Sequence, residues 1–300
     1  MNTSRFPILF ASDAGYIPHL ATALYSLLLN NQSIFMKIIV FTSGISKKDQ
    51  QNLEQICGQF NTPLNLTQLD DISFEGLSLH SHFKKSVYYR LFAADLIQDD
   101  KCLYLDSDVT VNGSLAELIS LDVNNYYLAA VKNHDCYQVF NPHKELGMRL
   151  DSKYFNSGVM LINLNKWRSV NLKDSVITLI RKKPEAIRLV DQCGLNGIVD
   201  GDWKELEEKY NRQTCILTTN KHADVACTSN ATKPIVIHFT GTNKPWHANY
   251  NHSHKRLYWS YRNKTPYKQF FIDHFRLANI GHYFLPSLFK KMINFFLKNK

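Results

Sequence analysis

No two cysteines in the chain stand at metal-ligand spacing. The six of them (Cys57, Cys102, Cys136, Cys193, Cys215 and Cys227) form no Cys-x-x-Cys unit. That speaks against a zinc cluster, and a chain this long does not depend on a disulfide framework. A reducing, cytosolic setting is the expectation. Gly-x-Gly-x-x-Gly and Gly-x-x-x-x-Gly-Lys-Ser/Thr are missing too, which argues against a dinucleotide oxidoreductase or a P-loop enzyme. The absence of a recognisable nucleic-acid motif gives no reason to expect a nucleic-acid partner. No apolar run is long enough to span a bilayer. The N-terminus lacks the basic-then-apolar order of a secretory leader. Internal repeats and low-complexity linkers are absent as well.

What is present suits a folded body. Of the 300 residues 44% are hydrophobic and 20% charged, enough to bury a large core and too apolar for disorder. The formal charge of +9 is uneven: residues 266–300 hold six Lys or Arg against one Asp. A basic segment suits an anionic surface, a membrane before nucleic acid. Within it Leu285, Leu288, Phe289, Met292, Ile293 and Phe296 recur at helical spacing, with Lys290, Lys291, Asn294 and Lys298 opposite. Two readings stand: an amphipathic helix lying in a membrane interface, or a terminal helix docked on the body. The expected division is a body over 1–265 and a basic segment over 266–300.

Apolar runs alternate with helical patterns. Pro7–Ala11, Lys37–Phe41, Leu64–Leu69, Cys102–Leu105, Val159–Leu164 and Pro234–Phe239 read as strands. Ile17–Leu29, Lys47–Phe60 and Val87–Leu96 read as helices. Such alternation predicts an α/β fold, a mostly parallel sheet with helices on both faces. Ligands in such folds sit beyond the carboxyl ends of the strands.

One strand ends in chemistry. Leu103-Tyr104-Leu105 runs straight into Asp106-Ser107-Asp108. Two carboxylates one residue apart attract a hard divalent cation; the plain alternative is a solvated turn. A second apolar run, Ile237-His238-Phe239, ends in Thr240 and Gly241, with Lys244, Pro245, Trp246 and His247 after it. Carboxylates with one imidazole suit Mn²⁺ better than Ca²⁺, and Mg²⁺ is the second choice. Lys244 could neutralise a diphosphate, and Gly241 would let backbone N–H groups approach phosphate oxygens. Taken alone, His238 reads as a core histidine.

Six segments in order carry a resemblance. They are Phe10-Ala11-Ser12-Asp13-Ala14-Gly15-Tyr16, Arg90 within Val87–Leu91, Tyr104–Asp108, Tyr154-Phe155-Asn156-Ser157-Gly158-Val159, Asp191-Gln192-Cys193-Gly194-Leu195-Asn196, and His238–Gly241 with Lys244-Pro245-Trp246. Together, over roughly residues 7–260, they resemble glycosyltransferase family 8, which includes bacterial lipopolysaccharide galactosyl- and glucosyltransferases and glycogenin. The resemblance implies a GT-A fold with a Rossmann-like nucleotide-sugar site, UDP-galactose or UDP-glucose as donor, and retention at the anomeric carbon. It implies Asp106, Asp108 and His238 as metal ligands. Asp13, Tyr16 and Ser107 would hold the nucleoside end, and Gly241 and Lys244 the diphosphate. Arg90, Asn156, Asp191 and Gln192 would surround the donor sugar. Two positions depart from the pattern: Gly15 stands where a polar residue is common, and Cys193 where a second aspartate is common.

Each residue has a bland alternative. Asp13 could cap a helix, Arg90 could face solvent from an amphipathic helix, and Asn156 could sit in a turn. Asp191-Gln192 could simply begin a helix. His82, Tyr88 and His247 are candidates for the acceptor side, as is the segment His134–Ser152. Trp246 either stacks on an acceptor sugar or packs its loop. Gln192 is a poor nucleophile, which favours front-face attack by the acceptor over a double displacement. The expected acceptor is a lipid-linked glycan such as lipopolysaccharide core, at the cytoplasmic face of the inner membrane. A protein-linked glycan, or a non-catalytic sugar-nucleotide-binding role, are the alternatives.

Overall fold

The computed structural model describes residues 5–69, 74, 77, 84–134, 141–214, 233–247 and 250–268. Strand β1 (Phe6–Asp13) is buried along its interior and flanked by neighbours on both edges. A strand covered on both faces reads as an unbroken apolar run. Helix α1 (Ile17–Asn30) follows, with Pro18 in its first turn, where a missing N–H does no harm. Then come β2 (Met36–Ser43), α2 (Lys47–Gln59) and β3 (Leu64–Gln68). Ser46 caps α2 by accepting from Asp49 N–H.

The expected helix over Val87–Leu96 is corrected. Lys85–Phe92 is a 3₁₀ segment, and only α3 (Ala93–Leu96) is α-helical. Tyr88, Tyr89, Arg90 and Leu91 are buried one after another. A one-faced helix cannot bury four consecutive side chains without being enclosed on every side. Here the segment is wedged against β1, β2 and α8 (Val190–Val199).

Beyond it lie β4 (Lys101–Leu105), β5 (Val109–Val111), α4 (Ala116–Ser120), β6 (Leu128–Lys132), α5 (Pro142–Leu146), β7 (Phe155–Asn163), α6 (Leu164–Ser169) and α7 (Leu172–Lys182). After α8 come β8 (Lys204–Glu205), β9 (Arg212–Gln213), β10 (Val236–His238) and α9 (Lys255–Arg262).

The main sheet runs β3-β2-β1-β4-β7-β6-β8. It is parallel from β3 through β4; β7 is antiparallel to β4 and β6, and β8 parallel to β6. Side chains alternate across it. Ile8 and Phe10 join α1 and α2 in one apolar layer, while Leu9 and Ala11 join α7 and α8 in the other. The mostly parallel sheet with helices on both faces is therefore present. A second sheet, β5-β10-β9, stands beside it. The expected late strand is shortened to β10 and belongs to that small sheet, because β5 offers it an antiparallel edge.

No helix among the described residues is long and apolar enough to cross a membrane. The reading of the basic segment as an amphipathic helix falls on residues outside the described ones.

Candidate active site

Three strand ends meet. β4 stops at Leu105, and the turn Asp106–Asp108 is held from three directions. Asp106 N–H donates to Gly158 O of β7 (2.8 Å), Ser107 Oγ donates to Ala11 O of β1 (3.1 Å), and Phe239 N–H donates to Asp108 O (3.0 Å). Residue 109 pairs with His238 across the small sheet. That register puts the imidazole beside both carboxylates.

Each carboxylate has one oxygen engaged and one turned inward. Tyr104 donates to Asp106 Oδ1 (2.6 Å) and Lys244 Nζ to Asp108 Oδ2 (2.5 Å). His238 Nε2 lies 3.5 Å from Asp106 Oδ2 and 3.3 Å from Asp108 Oδ1. One ligand atom from each of the three residues falls within 4.8 Å of the others. The donor set, two carboxylates and one imidazole, suits Mn²⁺ or Mg²⁺. The cradle is shaped by Gly158: a Cβ there would overlap His238 and lie 2.8 Å from Asp106 Oδ2. Burial by itself would push the Asp108 carboxyl up; Lys244 and His238 outweigh it and hold the carboxylate well below its ordinary range.

Arg90 sits behind this group, 5% exposed, and the solvent-facing alternative is excluded. Its guanidinium bridges Asp106 Oδ1 (2.9 Å) and Asp191 Oδ2 (3.3 Å), donates to Ser157 O (3.0 Å) and lies over the Tyr104 ring. Burial opposes its charge, but Asp106 and Asp191 prevail and keep it protonated. Asp191 goes the other way. Burial raises its carboxyl, Arg90 offsets part of that, and the result is about 6. Asp191 and Gln192 do begin helix α8, and that start opens into the cleft. Asn156 is in β7, not in a turn, with its side chain buried.

At the far end Asp13 caps the 3₁₀ turn Ala14–Tyr16 by accepting from Gly15 N–H (2.9 Å). It also meets Lys84 Nζ at 3.2 Å and Ser86 Oγ at 3.3 Å. Gly241 has φ +82, a left-handed conformation that glycine adopts without strain. Thr240 Oγ1 is buried with no hydrogen-bond partner among the described residues, an orphan suited to a polar ligand.

The site is one cleft of about 540 Å³. Asp13, Tyr16, Arg90, Asp106, Ser107, Asp108, Asn156, Asp191, Gln192, His238, Gly241 and Lys244 line it without exception. Other candidates lie elsewhere. Tyr88 is fully buried in the core, and neither it nor His247 reaches the cleft wall. Trp246 is 3% exposed and stacks on His19 at 3.5 Å, so it packs its loop rather than presenting a face to a sugar. His82 lies outside the described residues, as does part of the segment 134–152. Sequence reasoning missed Lys84, Ser86, Asn133, Arg188 and Thr240, which also line the cleft. Thr240 lay inside the recognised segment His238–Gly241 without being singled out; the others carried no local signal. Cys193 accepts from Tyr154 Oη and Leu189 N–H, so this departure plays a packing role.

The family model for glycosyl transferase family 8 matches residues 7–250. The chain belongs to glycosyltransferase family 8. This family-8 chain is 32% identical over 269 residues to general stress protein A of Bacillus subtilis, covering 86% of the chain and 93% of the relative. It is 30% identical over 256 residues to a lipopolysaccharide 1,2-glucosyltransferase of Escherichia coli, with 82% and 75% covered. Of the Streptococcus pneumoniae glycosyltransferases GlyF and GlyD it spans only 61% and 30% of the length. In three dimensions it superposes on galactosyltransferase LgtC, solved with donor and acceptor sugar analogues, at a TM-score of 0.78 and 23% identity, over 87% and 96% of the two chains. That likeness establishes the GT-A-like α/β fold.

Proposed function

We propose that this protein transfers galactose or glucose from a UDP-sugar to a glycan acceptor, with retention of configuration. The observation that carries the reading is the convergence of the Asp106–Asp108–His238 group, Lys244 and the Asp191–Gln192 helix start on one cleft. Asp13 and Tyr16 would hold the nucleoside, with Ser107 locking the turn between them and the carboxylates. Gly241 and Lys244 would meet the diphosphate. A divalent cation held by Asp106, Asp108 and His238 would supply Lewis-acid stabilisation of the departing diphosphate. Lys244, bonded to Asp108 and to Phe239 O, would add a second positive charge.

Arg90, Asn156, Asp191 and Gln192 would orient the sugar. Gln192 has no nucleophilic oxygen of useful basicity, and its amide is bonded to Ser157 N–H and Asn133. Asp191 Oδ2 is bonded to Ser157 Oγ and Arg90. These attachments favour front-face attack: the acceptor hydroxyl adds to the anomeric carbon as the bond to UDP breaks, and a phosphate oxygen of the leaving group takes the proton. The Escherichia coli relative supports lipopolysaccharide core as the acceptor, and the basic segment supports work at the cytoplasmic face of the membrane.

The test is UDP release from a panel of nucleotide-sugars, with Mn²⁺ or with EDTA, on wild type and Asp108→Ala. The expected result is turnover of UDP-galactose or UDP-glucose that needs Mn²⁺ and falls by at least about 100-fold in the variant. Turnover that survives both EDTA and the substitution would discard the metal-site reading.

A further inference from the structure

Five buried polar side chains form a chain from His238 to Gln192, both of which line the cleft. His238 Nδ1 lies 3.1 Å from Asn211 Oδ1. Asn211 Nδ2 donates to Asn156 Oδ1 at 2.9 Å. Asn156 Nδ2 donates to Asn133 Oδ1 at 3.2 Å, and the same oxygen accepts from Gln192 Nε2 at 3.3 Å. All five are more than nine-tenths buried, and Asn211 is wholly so. A polar group left unmet there bears its full desolvation penalty, so the links hold one another in place.

Two backbone groups set the direction of the chain. Gly158 N–H donates to Asn156 Oδ1 and Ser157 N–H to Gln192 Oε1, each at 3.0 Å. A backbone N–H can only donate, so both contacted atoms are oxygens. The amide nitrogens of Asn156 and Gln192 therefore face Asn133 Oδ1. Asn211 meets an oxygen at Asn156, so it presents its nitrogen there and its oxygen to His238. Nδ1 of His238 must then carry a proton, and Nε2 is the atom offered toward Asp106 and Asp108. Strand β7 thus dictates the orientation of a histidine on β10 through two intervening amides.

We infer that Asn211 is a positioning residue: it fixes His238 for a divalent cation and links it through Asn156 and Asn133 to Gln192. The inference rests on the cation and donor assignments proposed above. Asn211 lines no part of the cleft wall, so it acts only through its neighbours.

The test compares wild type, Asn211→Ala and Asn211→Asp as full-length proteins. Mn²⁺ binding to the metal-free protein is read from the electron paramagnetic resonance of free Mn²⁺. The donor KM, the affinity for UDP and the melting temperature are measured alongside. Asn211→Ala removes the acceptor from Nδ1–H, and Mn²⁺ affinity is expected to fall about 10–100-fold. Asn211→Asp keeps an acceptor for Nδ1–H but cannot donate to Asn156. It is expected to hold Mn²⁺ as wild type does, while the donor KM rises and UDP affinity stays. Wild-type Mn²⁺ affinity in a folded Asn211→Ala overturns the inference. Should that variant not fold, an unchanged donor KM in Asn211→Asp overturns it instead. A wild type that binds Mn²⁺ yet turns over no UDP-hexose defeats the functional proposal alone, and the Mn²⁺ comparison still decides the role of Asn211.

Discussion

Gly158 shows how little room the Asp106–Asp108–His238 group has. Any side chain at that position would meet the imidazole of His238 and the inward oxygen of Asp106. Gly158→Ala is expected to weaken Mn²⁺ binding about 10–100-fold, as displaced metal ligands do. Overpacking should also lower stability by about 1–3 kcal/mol. Mn²⁺ titration and urea unfolding check the two effects separately. Asp191 gives a second prediction. Its carboxyl is raised from 3.8 to about 6 by burial, against the pull of Arg90. The folded state therefore keeps a proton there that the unfolded chain gives up first, so this group's contribution is lost as pH rises from about 4 through 6. In metal-free protein, the stability of Asp191→Asn relative to wild type should climb by about 2 kcal/mol between pH 4 and pH 7. Urea unfolding at a series of pH values measures it, and a flat difference would refute the buried, proton-holding state.

Among elements, α8 bears most on the cleft. Its first turn delivers Asp191 and Gln192, preceded by Val190 at φ +40, an unusual conformation for a β-branched residue. Farther along, Gly194 lets α7 approach: a Cβ there would come within 2.8 Å of Val176 and Ile180. Gly194→Ala should force the two helices apart and lower stability by about 1–3 kcal/mol, read as a lower urea midpoint with an unchanged slope. An unchanged midpoint would mean that the helix pair has slack to give. The 3₁₀ segment Lys85–Phe92 contributes Arg90 from the other side. Its periodicity suggested an amphipathic helix with that arginine in water. The arginine in water was only the plain alternative to a place at the donor sugar, and what encloses Arg90 is Asp106 and Asp191, residues far away in the chain.

Across the molecule, the N-terminal and C-terminal parts of the described chain are clamped behind the cleft. His19 on α1 stacks on Trp246, and its Nδ1 meets Tyr258 Oη (2.7 Å) and Arg262 Nη1 (3.2 Å) on α9. Burial first, and then Arg262, hold this histidine well below its usual range. The unfolded chain takes up a proton near pH 6.5 and the folded one does not. Stability is therefore lost as pH falls below about 6.5, by up to about 1.4 kcal/mol per unit. His19→Gln should flatten that slope in chemical denaturation. Asp191 works in the opposite sense over much of the same interval, so wild type alone would conceal both effects and the paired variants would reveal them.

The order of motifs along the chain determined the family, the α/β class and the identity of the residues that border the cleft. These were legible because a strand ending in Asp106-Ser107-Asp108, or in His238 before Gly241, is a local pattern that chemistry constrains. Most strands buried on both faces were legible for the same reason: apolar runs are written in consecutive letters. The short pieces β5, β8 and β9 were not, since two or three residues carry no period. Nor were Asn133 and Asn211, whose importance lies in partners on other elements. Only the tertiary structure decided that Trp246 packs inward, that Arg90 is buried between two carboxylates, and that the amide chain points one way. Hydrogen-bond direction and burial are properties of groups brought together across the fold, and no neighbouring residue in the sequence records them.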